Sequence, residues 1–220
     1  MPRTVLPAEA WEALLALPSA PEALSDAWTL THADLALIRT RRGGPASALG
    51  LTAQIRALPA CGRLIHPNEP LPAVVVEALG LQIGFTAGQI ARYADRPAVT
   101  TLHHDAALRA SGWRRKSRPV EAVLADALFE RAKTTTEPHA VALALLEILR
   151  RQKIAASPPA TLNRLAGEAL GRAERWIESE IVGRLTRDQR HRLDALHDVD
   201  PDSGASPMAL ARRPPGRPGA

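Results

Sequence analysis

Apolar side chains recur every three to four positions along most of the chain, the period of helices packed on one side. Ala10, Leu14 and Leu17 place a first helix within 7–17, with Glu9 and Glu12 in its opening turns and Pro18 ending it. A short helix is expected from Ser19 or Pro21 toward Trp28. Thr31 and Asp34, three apart, form a capping-box pattern opening the next helix, which buries Leu35 and Ile38. Gly43-Gly44 breaks the pattern. Pro45 then starts a helix whose Leu51, Ile55 and Leu58 form a core stripe at i, i+4 and i+7. Its flanking row, Ala48, Thr52 and Arg56, is the edge that would face a groove if this were a recognition helix. Four prolines within 59–72 mark a candidate boundary.

Beyond it, Val74-Val75-Val76 could open a strand, but no partner strand is evident, so a helix is expected. Thr86 caps a short helix through Ile90 and Tyr93, ended by Pro97, and another follows over 98–111. Val120, Val123, Leu124, Ala127 and Leu128 share one helical face. Thr136 caps a helix that turns Val141, Leu145, Ile148 and Leu149 inward. Ser157 and Pro158 start the longest helix, whose apolar face runs from Leu162 through Leu170 and Trp176 to Ile181. Thr186 caps a last helix holding Leu193 and Leu196. The expected architecture is all-α: two helix-turn-helix-like units followed by a helical bundle with a long amphipathic helix. The expected segments are 1–66, 70–198 and a Pro/Gly/Arg-rich tail or linker, 199–220, in which little can pack.

Composition agrees with a helical protein. Hydrophobic residues make up 45% and charged residues 23%, as in ordinary globular chains. Aromatics are only 3%, which disfavours sheet. Net charge is +5, and only three of the 28 basic residues are lysine. That suits a polyanion partner but equally reflects an arginine-rich bias. The lone Cys61 excludes an internal disulfide and is compatible with a reducing compartment. No apolar run reaches the ~20 residues needed to span a bilayer, and the N-terminus lacks a signal-peptide layout. A cytoplasmic, soluble chain with no membrane partner is expected.

The charges are unevenly spread. Arg39, Arg41, Arg42, Arg56 and Arg63 lie in a window with no carboxylate between Asp34 and Glu69. Such a window around a Gly-containing turn between helices suits a DNA backbone. Cations at a helix C-terminus also complement the macrodipole without any ligand. A second acid-free window, between Asp105 and Glu121, holds Arg109, Arg114, Arg115, Lys116 and Arg118 around Trp113. Trp113 can stack against a nucleic-acid strand or simply plug the core.

Catalytic patterns are absent: the sequence has no phosphate-binding glycine loop, no HExxH and no CxxC. His191 and His197 fall on different helix faces, and His103-His104-Asp105 diverge as adjacent helical positions. Asp198, Asp200, Asp202 and Gly204 suggest a calcium loop, but the glycine is one place late and Ala209 stands where the bidentate Glu belongs. No enzyme, metal or cofactor is expected.

The order Trp28-Thr29-Leu30-Thr31-x-x-Asp34-Leu35-x-x-Ile38, Arg41-Arg42-Gly43, Leu49-Gly50, Gln54 and Gly62-Arg63 resembles the N-terminal region of Tn3-family replicative transposases. The likeness continues through Leu79-Gly80, Tyr93-Ala94-x-Arg96, Thr100 with His104, and Gly112-Trp113-Arg114, and extends over 119–198. The resemblance implies an α-helical, non-catalytic segment that binds double-stranded DNA at terminal inverted repeats, with a DDE catalytic domain missing downstream. It implies that Arg41, Arg42, Arg56 and Arg63 hold one stretch of backbone, and Arg96, Arg109, Arg114, Arg115 and Lys116 another. Ser47-Ala48 replaces the family's Asn-Arg pair. The segment from Leu210 to Gly216 resembles the linker to the next transposase domain, so the chain is expected to stop inside a linker. Such a fragment would occupy transposon ends and compete with an intact transposase. A helical protein–protein module, or a remnant without DNA binding, are the rival readings.

Overall fold

A computed structural model describes residues 4–40, 44–66, 69–85, 97–135, 137–201 and 204–211. Arg41, Arg42, Arg96, the expected helix from Thr86 through Tyr93, and the Thr136 cap lie outside the described residues. The α-helices described are α1 (Ala8–Leu14), α2 (His32–Thr40), α3 (Pro45–Cys61), α4 (Ala73–Ile83) and α5 (Pro97–Ser111), followed by α6 (Arg118–Ala132), α7 (Pro138–Arg151), α8 (Pro159–Arg184), α9 (Arg187–Asp194) and α10 (Pro207–Ala211). One isolated parallel bridge, Arg114 with Ile154, is the sole β pairing among the described residues. The all-α expectation holds.

The local signals act where the sequence places them. Thr31 and Asp34 close the capping box: the Thr31 amide donates to Asp34 Oδ2 at 2.8 Å and the Asp34 amide to Thr31 Oγ1 at 3.2 Å. Thr186 and Gln189 do the same for α9. Pro45 opens α3 and left-handed Gly62 ends it; Pro59 is accommodated in its last turn. The Val74-Val75-Val76 run is helical, because α4 buries Val75, Val76 and Leu79 together on one side. Between α1 and α2 the expected short helix is instead two 3₁₀ turns, Pro21–Ala23 and Asp26–Trp28.

By its contacts the chain forms two compact units, 1–173 and 174–220, divided within α8. The first holds three apolar clusters. In one, α6, α7 and α8 pack through Leu124, Leu128, Leu145, Leu149, Leu162 and Leu170, and α1 joins them with Trp11 and Leu15. Asn163 Oδ1 fixes α1 there by accepting from the Val5 and Leu6 amides and from Trp11 Nε1. The first helix thus belongs with the bundle, and residues 1–66 share their interior with later segments.

The other two clusters lie on opposite sides of α3. Leu49, Ala53, Ala57 and Cys61 pack with Trp28 and α4, whereas Leu51, Ile55 and Leu58 pack with α5. Gln54 is fully buried between them and pairs with both backbone groups of Ile65, each at 2.9 Å. Gln82 of α4 similarly holds Trp28 and Leu30, accepting from one amide and donating to the other carbonyl.

Two apolar faces differ from expectation. Val123 of α6 is exposed, since the bundle meets only the Leu124 and Leu128 side. The α8 face is buried from Leu162 to Ala173, but Trp176 and Ile181, in the second unit, are exposed. In that unit α9 buries nothing, and the tail contains a short helix, α10, where Met208 N–H donates to the Leu196 carbonyl at 3.1 Å.

Replacing Gln54 by leucine keeps the volume but orphans the buried N–H of Ile65, whose carbonyl keeps the His104 Nε2–H. The expected cost is about 1–3 kcal/mol, read from the urea midpoint. A loss below about 0.5 kcal/mol would show that Ile65 finds other partners.

Candidate nucleic-acid interface

An arginine grips phosphate most readily where the fold leaves it in water without a carboxylate of its own. In the first window α3 offers no such row. Thr52 is fully buried and its hydroxyl donates to the Ala48 carbonyl at 2.7 Å. Arg56 is mostly covered, with its Nη1 3.3 Å from Asp34 Oδ2 and donating to the Thr29 carbonyl. Two apolar clusters flank the helix, so the row expected to face a groove faces the protein.

Arg63 is held as firmly. It donates bidentately to Glu69, and its Nε donates to the Leu15 carbonyl at 2.6 Å. Burial pushes the Glu69 carboxyl up, but hydrogen bonds and charge from Arg63, helped by the His66 amide, outweigh it and hold Glu69 below the usual carboxylate range. Arg39 is exposed at the end of α2, with no ion pair among the described residues.

The second window shows the same folding-back. Arg115 pairs with Asp105 at 3.0 Å, and Lys116 with Glu121 at 2.6 Å. Glu121 also takes Arg164 of α8, and hydrogen bonds from Lys116 and Arg164 hold its carboxyl below the usual range. Trp113 is half-buried against Leu51, Ile55 and Leu58, the core-plug position. Arg109, Arg114 and Arg118 are exposed and make no ion pair among the described residues.

Both windows are therefore acid-free in sequence but not in space. The four carboxylates that bound them, Asp34, Glu69, Asp105 and Glu121, each take an arginine or lysine from inside.

The fold also adds cations that the linear reading passed over. The α7–α8 connection lies along the second window: Arg114 N–H donates to the Lys153 carbonyl at 2.9 Å, and Ala155 N–H to the Arg114 carbonyl at 3.0 Å. Exposed Lys153 thus joins the neighbourhood of Gly112–Arg114 from about forty residues away, and exposed Arg150 joins Cys61 and Gly62 of the first window. Only a signal for long-range backbone pairing could have found them.

Residues 5–169 match the family described as "Domain of unknown function (DUF4158)". The chain belongs to the DUF4158 family. It is also similar, over 98% of its length and at 29% identity, to the transposases for transposons Tn3926 and Tn21 of Escherichia coli and Tn501 of Pseudomonas aeruginosa. These relatives bear out the resemblance to Tn3-family transposases and fit an N-terminal segment of one. The chain spans about 22% of the length of each.

This DUF4158 chain also carries a groove of about 880 Å³ between Leu15–Leu17, 63–66, Glu69, Pro70, Pro72, His104 and 156–159. Its walls are largely apolar and both signs of charge line it, Arg63 and Arg115 against Glu12 and Glu69. His104 donates Nε2–H to the Ile65 carbonyl at 2.9 Å, and burial lowers its pKa. No group of three or more potential metal ligands occurs among the described residues. No helix among them is long and apolar enough to cross a membrane.

Because Glu69 is depressed in the folded state, its pairing with Arg63 stabilises the chain above the unfolded carboxylate pKa, about 4.3, and that contribution is lost as pH falls through the folded value. Glu69→Gln should cost about 1 kcal/mol at pH 7, small because the pair is partly in water. The gap from wild type should close as pH drops below about 4. Urea midpoints at pH 7 and pH 3 check this; a gap independent of pH would mean the charge of Glu69 does not matter.

Proposed function

We propose that this segment is a non-catalytic DNA-binding module of a Tn3-like transposase, acting in the cytoplasm on double-stranded terminal inverted repeats. The observation that carries it is the set of exposed arginines left after the folding-back of both windows: Arg39, Arg109, Arg114 and Arg118. The similarity to transposases supplies the partner class. Arg56, Arg63 and Lys116 act as structural fasteners in this reading, Arg115 shares itself between Asp105 and phosphate, and Trp113 packs the core. Arg41, Arg42 and Arg96 stay assigned to the phosphate backbone on their sequence positions. Helix α5 replaces α3 as the docking helix, since it exposes Leu102 and Arg109 and leads directly into Arg114. A chain of this kind would compete with an intact transposase for transposon ends.

The second unit favours another class of contact. Ile181, Val182, Leu193, Leu196 and Val199 are all exposed there, a surface suited to a protein partner. Ile181→Glu with Leu193→Glu should leave DNA binding unchanged and abolish any concentration-dependent mass increase in sedimentation. Loss of DNA affinity would instead assign that surface to the duplex.

DNA binding is tested by anisotropy on an inverted-repeat duplex and a scrambled one. With about five phosphate contacts, log K should fall with log salt with a slope near −4.5, and binding to the repeat should be tighter. Arg109→Ala with Arg114→Ala should make the slope shallower by about 1.8. Absent binding, or equal and salt-insensitive binding to both duplexes, would overturn the reading.

A further inference from the structure

Helix α7 ends in a Schellman turn. Lys153 N–H donates to the Arg150 carbonyl at 3.0 Å, Ile154 N–H donates to the Leu149 carbonyl at 2.8 Å, and buried Ile154 packs in the same cluster as Leu149. The residue between them must take the left-handed conformation. Lys153 does so, with φ 51°, and it is the only non-glycine with positive φ among the described residues. The other left-handed positions described, Gly62, Gly84, Gly112 and Gly204, are glycines, which adopt this conformation without steric cost. A lysine here opposes local preference, and such an outlier is a reason to ask what its side chain does.

Its surroundings supply an answer. The turn after α5 lies alongside: Trp113 N–H donates to the Leu108 carbonyl, and a Cβ built on Gly112 would sit 3.7 Å from Lys153 Nζ. Arg114 is paired through its backbone to the carbonyl of Lys153 and the amide of Ala155. Lys153 is exposed and makes no ion pair among the described residues. Asp105 of α5 is engaged by Arg115, Glu121 of α6 by Lys116 and Arg164, and Glu147 of α7 by Arg151 at 4.0 Å. Arg150 is tied to the end of α3, its Nη2 3.5 Å from the Cys61 carbonyl.

We infer that Lys153 is a phosphate-anchoring residue of the DNA interface, set beside Arg114 by the pairing of the 112–115 and 153–155 backbones. The inference rests on the DNA-binding reading and extends it to a residue outside both arginine windows. An ammonium at this place also complements the C-terminal dipole of α5, a purely structural role. The two roles differ in what they move. A dipole contact changes stability; a phosphate contact releases a counterion and changes the salt slope.

The test is Lys153→Gly, which removes the ammonium and suits the left-handed backbone, with Lys153→Asn as a second neutral variant and Lys153→Arg as the charge-retaining control. Anisotropy on the inverted-repeat duplex is measured across a salt series, with urea midpoints alongside. Both neutral variants should bind about five- to tenfold more weakly near 0.1 M salt, with slopes shallower by about 0.9, and Lys153→Arg should match wild type. Wild-type affinity and slope in the folded neutral variants would overturn the role of Lys153 and leave the DNA reading standing. No binding by wild type either would overturn both.

Discussion

Helix α3 has no side turned wholly to water, and much of the first unit follows from that. Its apolar residues meet Trp28 and α4 on one flank and α5 on the other, with Gln54 buried between. A charge in the middle of such a helix must be matched, because an uncompensated buried charge costs several kcal/mol, roughly 3–5 when a partner is removed. Arg56 is matched by Asp34, the same carboxylate that closes the α2 capping box. One acid thereby starts α2 and fastens α3 to it. A helix so enclosed cannot also lie in a DNA groove, so the proposed docking role falls to α5 and the turn after it.

The arginine windows show where one-dimensional charge reading stops. Counting along the chain, both look bare of acid; in the fold, the four bounding carboxylates close over their nearest cations. Helix ends are natural places for this, since carboxylates favour first turns and cations last turns. What distinguishes Arg109 and Arg114 from Arg63 and Lys116 is therefore the absence of a reachable partner, not membership of a basic run.

The helices themselves were largely legible. The Thr31/Asp34 box, Pro45, the Leu51-Ile55-Leu58 stripe and the Leu162–Ala173 face all act locally, so sequence spacing suffices. Less legible were features settled by distant segments. Val123 has the right period but no neighbour, the 19–28 segment coils into 3₁₀ turns, and α1 docks on Asn163 over 150 positions away. Lys153 became a candidate only because a backbone pairing brings it to Arg114. Several residues that carry the family resemblance prove architectural: Gln54 clamps Ile65, Trp28 fills a core, and Gly80 lies so near the Phe85 carbonyl that a Cβ would approach it to 2.7 Å.

The central claim is that partnered and unpartnered arginines divide the work between fold and DNA. Arginine-selective dicarbonyl labelling, read by mass spectrometry with and without an inverted-repeat duplex, tests this most directly. The account predicts that Arg56 and Arg63 resist labelling in both states, whereas Arg109 and Arg114 react readily in the free chain and are protected by the duplex. Ready labelling of Arg56 and Arg63 in the free chain, with DNA protecting them and leaving Arg109 and Arg114 reactive, would contradict it.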